Sequence, residues 1–152
     1  MSRRKRSRYR TGSHESPKAG IVAYRSSYER RACVCFDADP EIVSYEYEQL
    51  KIAHKQWTLL GTGEQFPTAR SYTPDFVLKM SDGRVRIVEL KSEFGAGTGR
   101  NAKKLKLAEA FCERVGWTYE LWTLKDVIER ELALGIEGRD HAAYLEWKEV
   151  QE

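Results

Sequence analysis

Apolar residues recur along this chain at two spacings. Every-second-residue alternation predicts strands over residues 42–53 (IVSYEYEQLKIA), 72–80 (YTPDFVLKM), 84–91 (RVRIVELK) and 117–123 (WTYELWT). Helical spacing begins at Ser26, where Tyr28, Ala32, Cys35 and Phe36 mark one face. Ser26 and Glu29 stand at capping-box spacing, and Asp39-Pro40 ends the helix. A second helix is expected from about Asn101 to Val115, closed by Gly116. One or two more follow residue 124, interrupted at Gly135 and Gly138. Residues 61–70 read as a loop. Residues 1–20 show no apolar periodicity and read as a basic, flexible arm.

The predicted order is helix, three strands, helix, strand, terminal helices. Between strands 84–91 and 117–123 there is room for a helical crossover, which makes that pair parallel. The expectation is an α/β domain over residues 21–152, with a central mixed β-sheet flanked by helices. Its core runs from about 24 to 123, and C-terminal helices fill 124–152.

Composition narrows the class. The chain has 152 residues, 41% of them hydrophobic and 17 aromatic, enough for one core. No apolar run approaches the ~20 residues of a membrane helix, and the basic N-terminus lacks a secretory apolar segment. Cys33, Cys35 and Cys112 have no CxxC spacing and read as reduced, partly buried thiols of a cytoplasmic protein. Net charge is +3, yet Arg3, Arg4, Lys5, Arg6, Arg8 and Arg10 leave −3 for the remainder. Such an arm suits a polyanion, most commonly nucleic acid, although a solubilising tail has the same composition.

The hairpin 72–91 carries the chemistry. A three-residue loop, Ser81-Asp82-Gly83, with Gly83 left-handed, pairs Met80 with Arg84. Asp75 then lies opposite Glu89, roughly 5 Å apart at Cβ, with Lys91 on the same face. A two-residue loop Asp82-Gly83 would separate the carboxylates, and the apolar pattern alone allows it. Facing like charges destabilise an ordinary hairpin. A hard divalent cation reverses the sign, since Mg²⁺ takes one or two carboxylates and keeps several waters. It would polarise a phosphoryl oxygen and lower the pKa of bound water, with Lys91 offsetting developing charge.

Pro74-Asp75 followed by Glu89-Leu90-Lys91 resembles the PD-(D/E)xK signature of the restriction-endonuclease-like nucleases. Upstream, Tyr24-Arg25-Ser26-Ser27-Tyr28-Glu29 and Asp39-Pro40-Glu41-Ile42-Val43-Ser44-Tyr45-Glu46 resemble the N-terminal nuclease domain of the TnsA transposon endonucleases. Phage junction-resolving and head-completion nucleases carry similar pieces. The resemblance spans about residues 24–123 and implies a restriction-endonuclease-like core. It further implies a metal-dependent DNA endonuclease, with Mg²⁺ or Mn²⁺ as cofactor. Glu29, Asp75 and Glu89 would be the metal-binding carboxylates, the backbone carbonyl of Leu90 a further ligand, and Lys91 the catalytic lysine. Glu29 fits equally as the N3 residue of the Ser26 capping box. Gln49 is a candidate for the periphery. Transposon endonucleases of this type carry a second, partner-contacting domain. Only residues 124–152 follow the matched strands, which suits a stand-alone or phage nuclease better.

Residues 95–99 (GAGTG) lack the P-loop pattern and read as a loop beside the site. Arg100, Lys103, Lys104 and Lys106 crowd the following helix, as DNA-phosphate contacts or as a solvated face. Arg3, Arg4, Lys5 and Arg6 of the arm are further candidate DNA contacts. A homodimer or a larger DNA-processing complex is compatible with this reading, in a bacterial cell or as a phage protein in host cytoplasm or virion. The other reading is a non-catalytic DNA-binding or assembly protein on a nuclease-like fold.

Overall fold

The computed structural model describes residues 11–91 and 99–151. Arg3, Arg4, Lys5 and Arg6, and most of the glycine-rich stretch, lie outside the described residues.

The central sheet has four strands, β3 (Ile42–Tyr47), β6 (Phe76–Met80), β7 (Val85–Leu90) and β8 (Thr118–Trp122), in the order β3-β6-β7-β8. The first two pairings are antiparallel and β7–β8 is parallel, so the sheet is mixed as expected. The helix α2 (Gly99–Val115) makes the crossover between the parallel strands. Helices α1 (Ser27–Ala38) and α3 (Leu124–Ala133) pack together, and α4 (His141–Gln151) packs on α3.

Strand alternation divides the core. Phe76, Leu78 and Val88 meet Ala32, Cys33 and Phe36 of α1 and Val127 of α3 in one cluster. Val77 and Ile87 point the other way and meet Ala108 and Cys112 of α2. Phe36 lies at the centre of the first cluster, with ring centroids 5.1 Å from Tyr45, 5.0 Å from Phe76 and 5.5 Å from Trp122. The three cysteines are free and buried, and burial pushes the thiols of Cys33 and Cys35 up to about 12. No helix among the described residues is long and apolar enough to cross a membrane.

Three expectations change. The predicted arm extends into regular structure: β1 (Gly12–Ser16) and β2 (Gly20–Tyr24) form an antiparallel hairpin. Polar bonds hold it in place, because His14 Nε2 and Ser16 Oγ both reach the Asp37 carboxylate of α1, at 2.6 and 2.5 Å. Lys18 Nζ donates to the carbonyls of Phe36 and Asp39, which caps the end of the same helix.

The strand expected over 42–53 breaks after Tyr47, where Glu48 takes a left-handed φ of 50°. The loop expected over 61–70 is mostly strand. β4 (Ile52–Leu59) and β5 (Gln65–Tyr72) form a two-stranded ribbon of their own. Pro67 is tolerated there for a physical reason. Leu60 N–H bonds the Glu64 carbonyl, and counting back along the register makes Trp57–Pro67 a non-hydrogen-bonded pair.

Candidate active site

The β6–β7 hairpin has the register that brings the two carboxylates together. Phe76 pairs with Val88, Val77 with Ile87 and Lys79 with Val85, and the Met80 N–H bonds the Arg84 carbonyl. Gly83 has φ 87°, so the three-residue loop is the one adopted. One step beyond Phe76–Val88, the backbone N–H of Asp75 donates to Glu89 Oε2 at 2.9 Å. Asp75 Oδ2 in turn accepts the Leu90 N–H at 2.9 Å. Lys91 Nζ stands 3.3 Å from Glu89 Oε1.

Pro74 shapes this end of the ladder. Glu89 and Lys91 direct their backbone groups toward β8, as the bond from Lys91 N–H to the Trp122 carbonyl shows. Leu90 therefore directs its own toward the Pro74 side. Pro74 has no N–H to offer the Leu90 carbonyl, which leaves that oxygen open to another partner.

Glu29 comes from the first turn of α1. Its Oε1 accepts the N–H groups of Arg25 and Ser26 at 2.7 and 3.0 Å, and Ser26 Oγ caps the Glu29 N–H at 3.2 Å. The capping box is thus complete. Glu29 Oε2 accepts the Tyr47 hydroxyl at 2.9 Å. Burial first, and the Glu29 charge second, hold that phenol above its usual range, so it stays a donor.

Glu48 is the residue that sequence reasoning missed. Its N–H bonds the Asp75 carbonyl at 2.9 Å, and its carboxylate pairs with Arg25 at 3.0 Å. Oxygens of Glu29, Glu48 and Asp75 all lie within 4.8 Å of one another. Glu89 is bound to Asp75 but does not belong to that triplet. Gln49 is exposed, and its amide bonds the Tyr47 carbonyl at 3.3 Å. Lys103 and Lys104 lie on α2, beside the β4–β5 ribbon, and are not among the residues of this cluster.

The electrostatics are those of a site short of positive charge. Glu29 and Glu89 are 6% and 3% exposed, and among the described residues Lys91 is the cation paired with Glu89. Burial and then the Glu89 charge push the Asp75 carboxyl up to about 7, with Glu29 adding to the rise. The Leu90 N–H and Lys91 oppose it without cancelling it. Hard carboxylate oxygens converging within ligand distance of one another fit a divalent cation of the Mg²⁺ type.

Residues 39–123 match the TnsA-like endonuclease N-terminal family. The chain belongs to that family. The matched segment includes Glu48, Asp75, Glu89 and Lys91, while Glu29 precedes it. No curated protein matches the chain. A TnsA-like member is thus a nuclease-family protein, and its mixed sheet with flanking helices is consistent with a nuclease-like fold.

Proposed function

We propose that this TnsA-like chain is a metal-dependent endonuclease that hydrolyses phosphodiester bonds in DNA. The observation that carries this reading is the Asp75–Glu89–Lys91 constellation, in which buried Glu89 faces half-buried Asp75 and, among the described residues, pairs with one lysine. An isolated pair of this kind costs stability, and such costs concentrate at functional sites.

Asp75, Glu89 and Glu29, with the Leu90 carbonyl, would hold Mg²⁺ or Mn²⁺, and Glu48 would border them. The ion supplies Lewis-acid polarisation of a phosphoryl oxygen and a more acidic bound water. Asp75 and Glu89 hold their relative position through the two bonds that tie each side chain to a backbone N–H of the hairpin. Glu29 is aimed by the first turn of α1 and by Tyr47. Lys91 is 20% exposed at its side chain, so it reaches solvent while touching Glu89. From there its ammonium orients the attacking water and offsets charge on the phosphorus centre. Transposon-end cutting, junction resolution and phage DNA processing all use this chemistry, in a bacterial cytoplasm or a phage-infected one. Linear, flap and four-way-junction substrates distinguish them.

The test is supercoiled plasmid with Mg²⁺ or Mn²⁺, beside an EDTA control and a Lys91→Ala variant. Nicking or linearisation that disappears in both controls supports the assignment. Cutting that survives Lys91→Ala refutes the placement of the centre. DNA binding with no cutting by the wild type on any of these substrates points instead to a non-catalytic assembly protein.

A further inference from the structure

The β4–β5 ribbon and α2 enclose a cleft of about 550 Å³. His54, Gln56 and Arg70 of the ribbon form one wall, and Lys103 and Lys104 of α2 form the other. The ribbon register sets His54 directly opposite Arg70, so both side chains occupy the ribbon face that looks at α2. Lys104 Nζ lies 5.8 Å from the centre of the Tyr72 ring, which fixes the wall-to-wall contact.

Three observations give this cleft a ligand class. No described lining residue is acidic, whereas the cleft beside α3 contains Glu120, Asp126 and Glu129, and the one beside α1 contains Glu131, Glu137 and Asp140. Among the described residues, Arg70, Lys103 and Lys104 form no ion pair. On the ribbon wall, His54 Nδ1 is buried with no hydrogen-bond partner among the described residues. Concentrated, uncompensated positive charge beside an unsatisfied ring nitrogen is arranged for an anion with several acceptor oxygens.

The cleft also has a direction. Thr73 lines it, two residues before Asp75. An anion chain seated in the cleft therefore runs toward the carboxylates.

We propose that this cleft seats backbone phosphates of the DNA strand flanking the cut, with Arg70, Lys103 and Lys104 as the phosphate contacts and the β4–β5 ribbon as the outer jaw. The proposal rests on the nuclease reading for its choice of polyanion. Phosphate contacts position a strand without reading its bases, so the contribution is independent of sequence. Each contact adds about 0.9 to the slope of log affinity against log salt.

The experiment titrates a fluorescein-labelled duplex by anisotropy, in Ca²⁺, between about 50 and 200 mM NaCl. The Lys91→Ala background keeps the duplex intact. Arg70→Gln/Lys104→Gln is expected to weaken binding and to lower the salt slope by about 1.8, so its affinity falls about tenfold less than the parent's across that range. Arg70→Lys/Lys104→Arg keeps the charges and should keep the slope, which separates charge from folding. Lys148→Ala on α4, an exposed helix surface outside the cleft, should leave the slope unchanged. An unchanged slope in the Gln pair, a drop of the same size in Lys148→Ala, or no duplex binding at all overturns the proposal. A lowered slope in a protein whose wild type never cuts DNA upholds the cleft and sinks the nuclease reading alone. Cutting with an unchanged slope does the reverse.

Discussion

Asp75→Asn is expected to stabilise the metal-free protein, and to do so more as pH rises. Burial and the Glu89 charge push the Asp75 carboxyl up to about 7, against roughly 3.9 in an unfolded chain. A carboxyl raised on folding contributes its full stability below the unfolded value. That contribution drains away as pH climbs through the folded value, because the unfolded chain releases the proton first. Three pKa units correspond to a total on the order of 4 kcal/mol, of which roughly 2–3 kcal/mol is lost between about pH 5 and 8. The Asn amide has nearly the same shape, its oxygen still accepts the Leu90 N–H, and it carries no charge to repel Glu89. At roughly 2–4 °C per kcal/mol, the variant should melt about 5–10 °C above wild type at pH 8 and close the gap toward pH 5. Melting by circular dichroism in EDTA at four pH values measures this. Mn²⁺ at pH 8 should then invert the order, raising the wild-type Tm and leaving the variant nearly unmoved. Parallel pH profiles for the two proteins, or equal protection by Mn²⁺, would refute the reasoning.

Glu89→Gln is expected to abolish plasmid cutting, whereas Glu48→Gln should weaken Mn²⁺ binding less than tenfold, since Glu48 is partly exposed and already paired with Arg25. Isothermal titration of both variants decides it, and equal losses would make Glu48 a full ligand. Tyr47→Phe removes the hydroxyl that orients Glu29 Oε2 and should cost roughly tenfold in Mn²⁺ affinity. Ser26→Ala removes only the side-chain cap of α1 and should cost about 1 kcal/mol of stability with Mn²⁺ affinity retained. If both variants lose metal affinity alike, Glu29 is held by the cap and not by the tyrosine.

The parts of this molecule legible from sequence are those whose geometry is fixed locally. The three-residue turn Ser81-Asp82-Gly83 sets the β6–β7 register, and that register determines that Asp75 meets Glu89. The Ser26–Glu29 box likewise fixes where α1 begins. The β4–β5 ribbon escaped because alternation is a signal of one buried face. Most of this ribbon is exposed, Trp57 and Leu59 among its outward residues, and Pro67 interrupts the pattern. The β1–β2 hairpin escaped for a related reason: polar bonds from His14 and Ser16 to Asp37 help hold it, and those bonds join residues 23 and 21 positions apart. Glu48 depends on tertiary structure entirely. A left-handed φ at a glutamate has no sequence signature, and the bond from its N–H to the Asp75 carbonyl joins elements separated by the whole ribbon.

Counting lone pairs reconciles the two roles that sequence reasoning left open for Glu29. A carboxylate offers about four acceptor sites, two on each oxygen. Glu29 Oε1 spends both of its sites on the N–H groups of Arg25 and Ser26. Oε2 spends one on Tyr47 and keeps one. The cap therefore consumes one oxygen and orients the other, so the capping box supports a ligand role instead of competing with it. Asp75 has the same division, with Oδ2 held by the Leu90 N–H and Oδ1 free of hydrogen bonds among the described residues. Both oxygens of Glu89 are engaged, one by the Asp75 N–H and one by Lys91. A cation entering here would meet one prepared oxygen on Glu29 and one on Asp75, and would compete with Lys91 for Glu89.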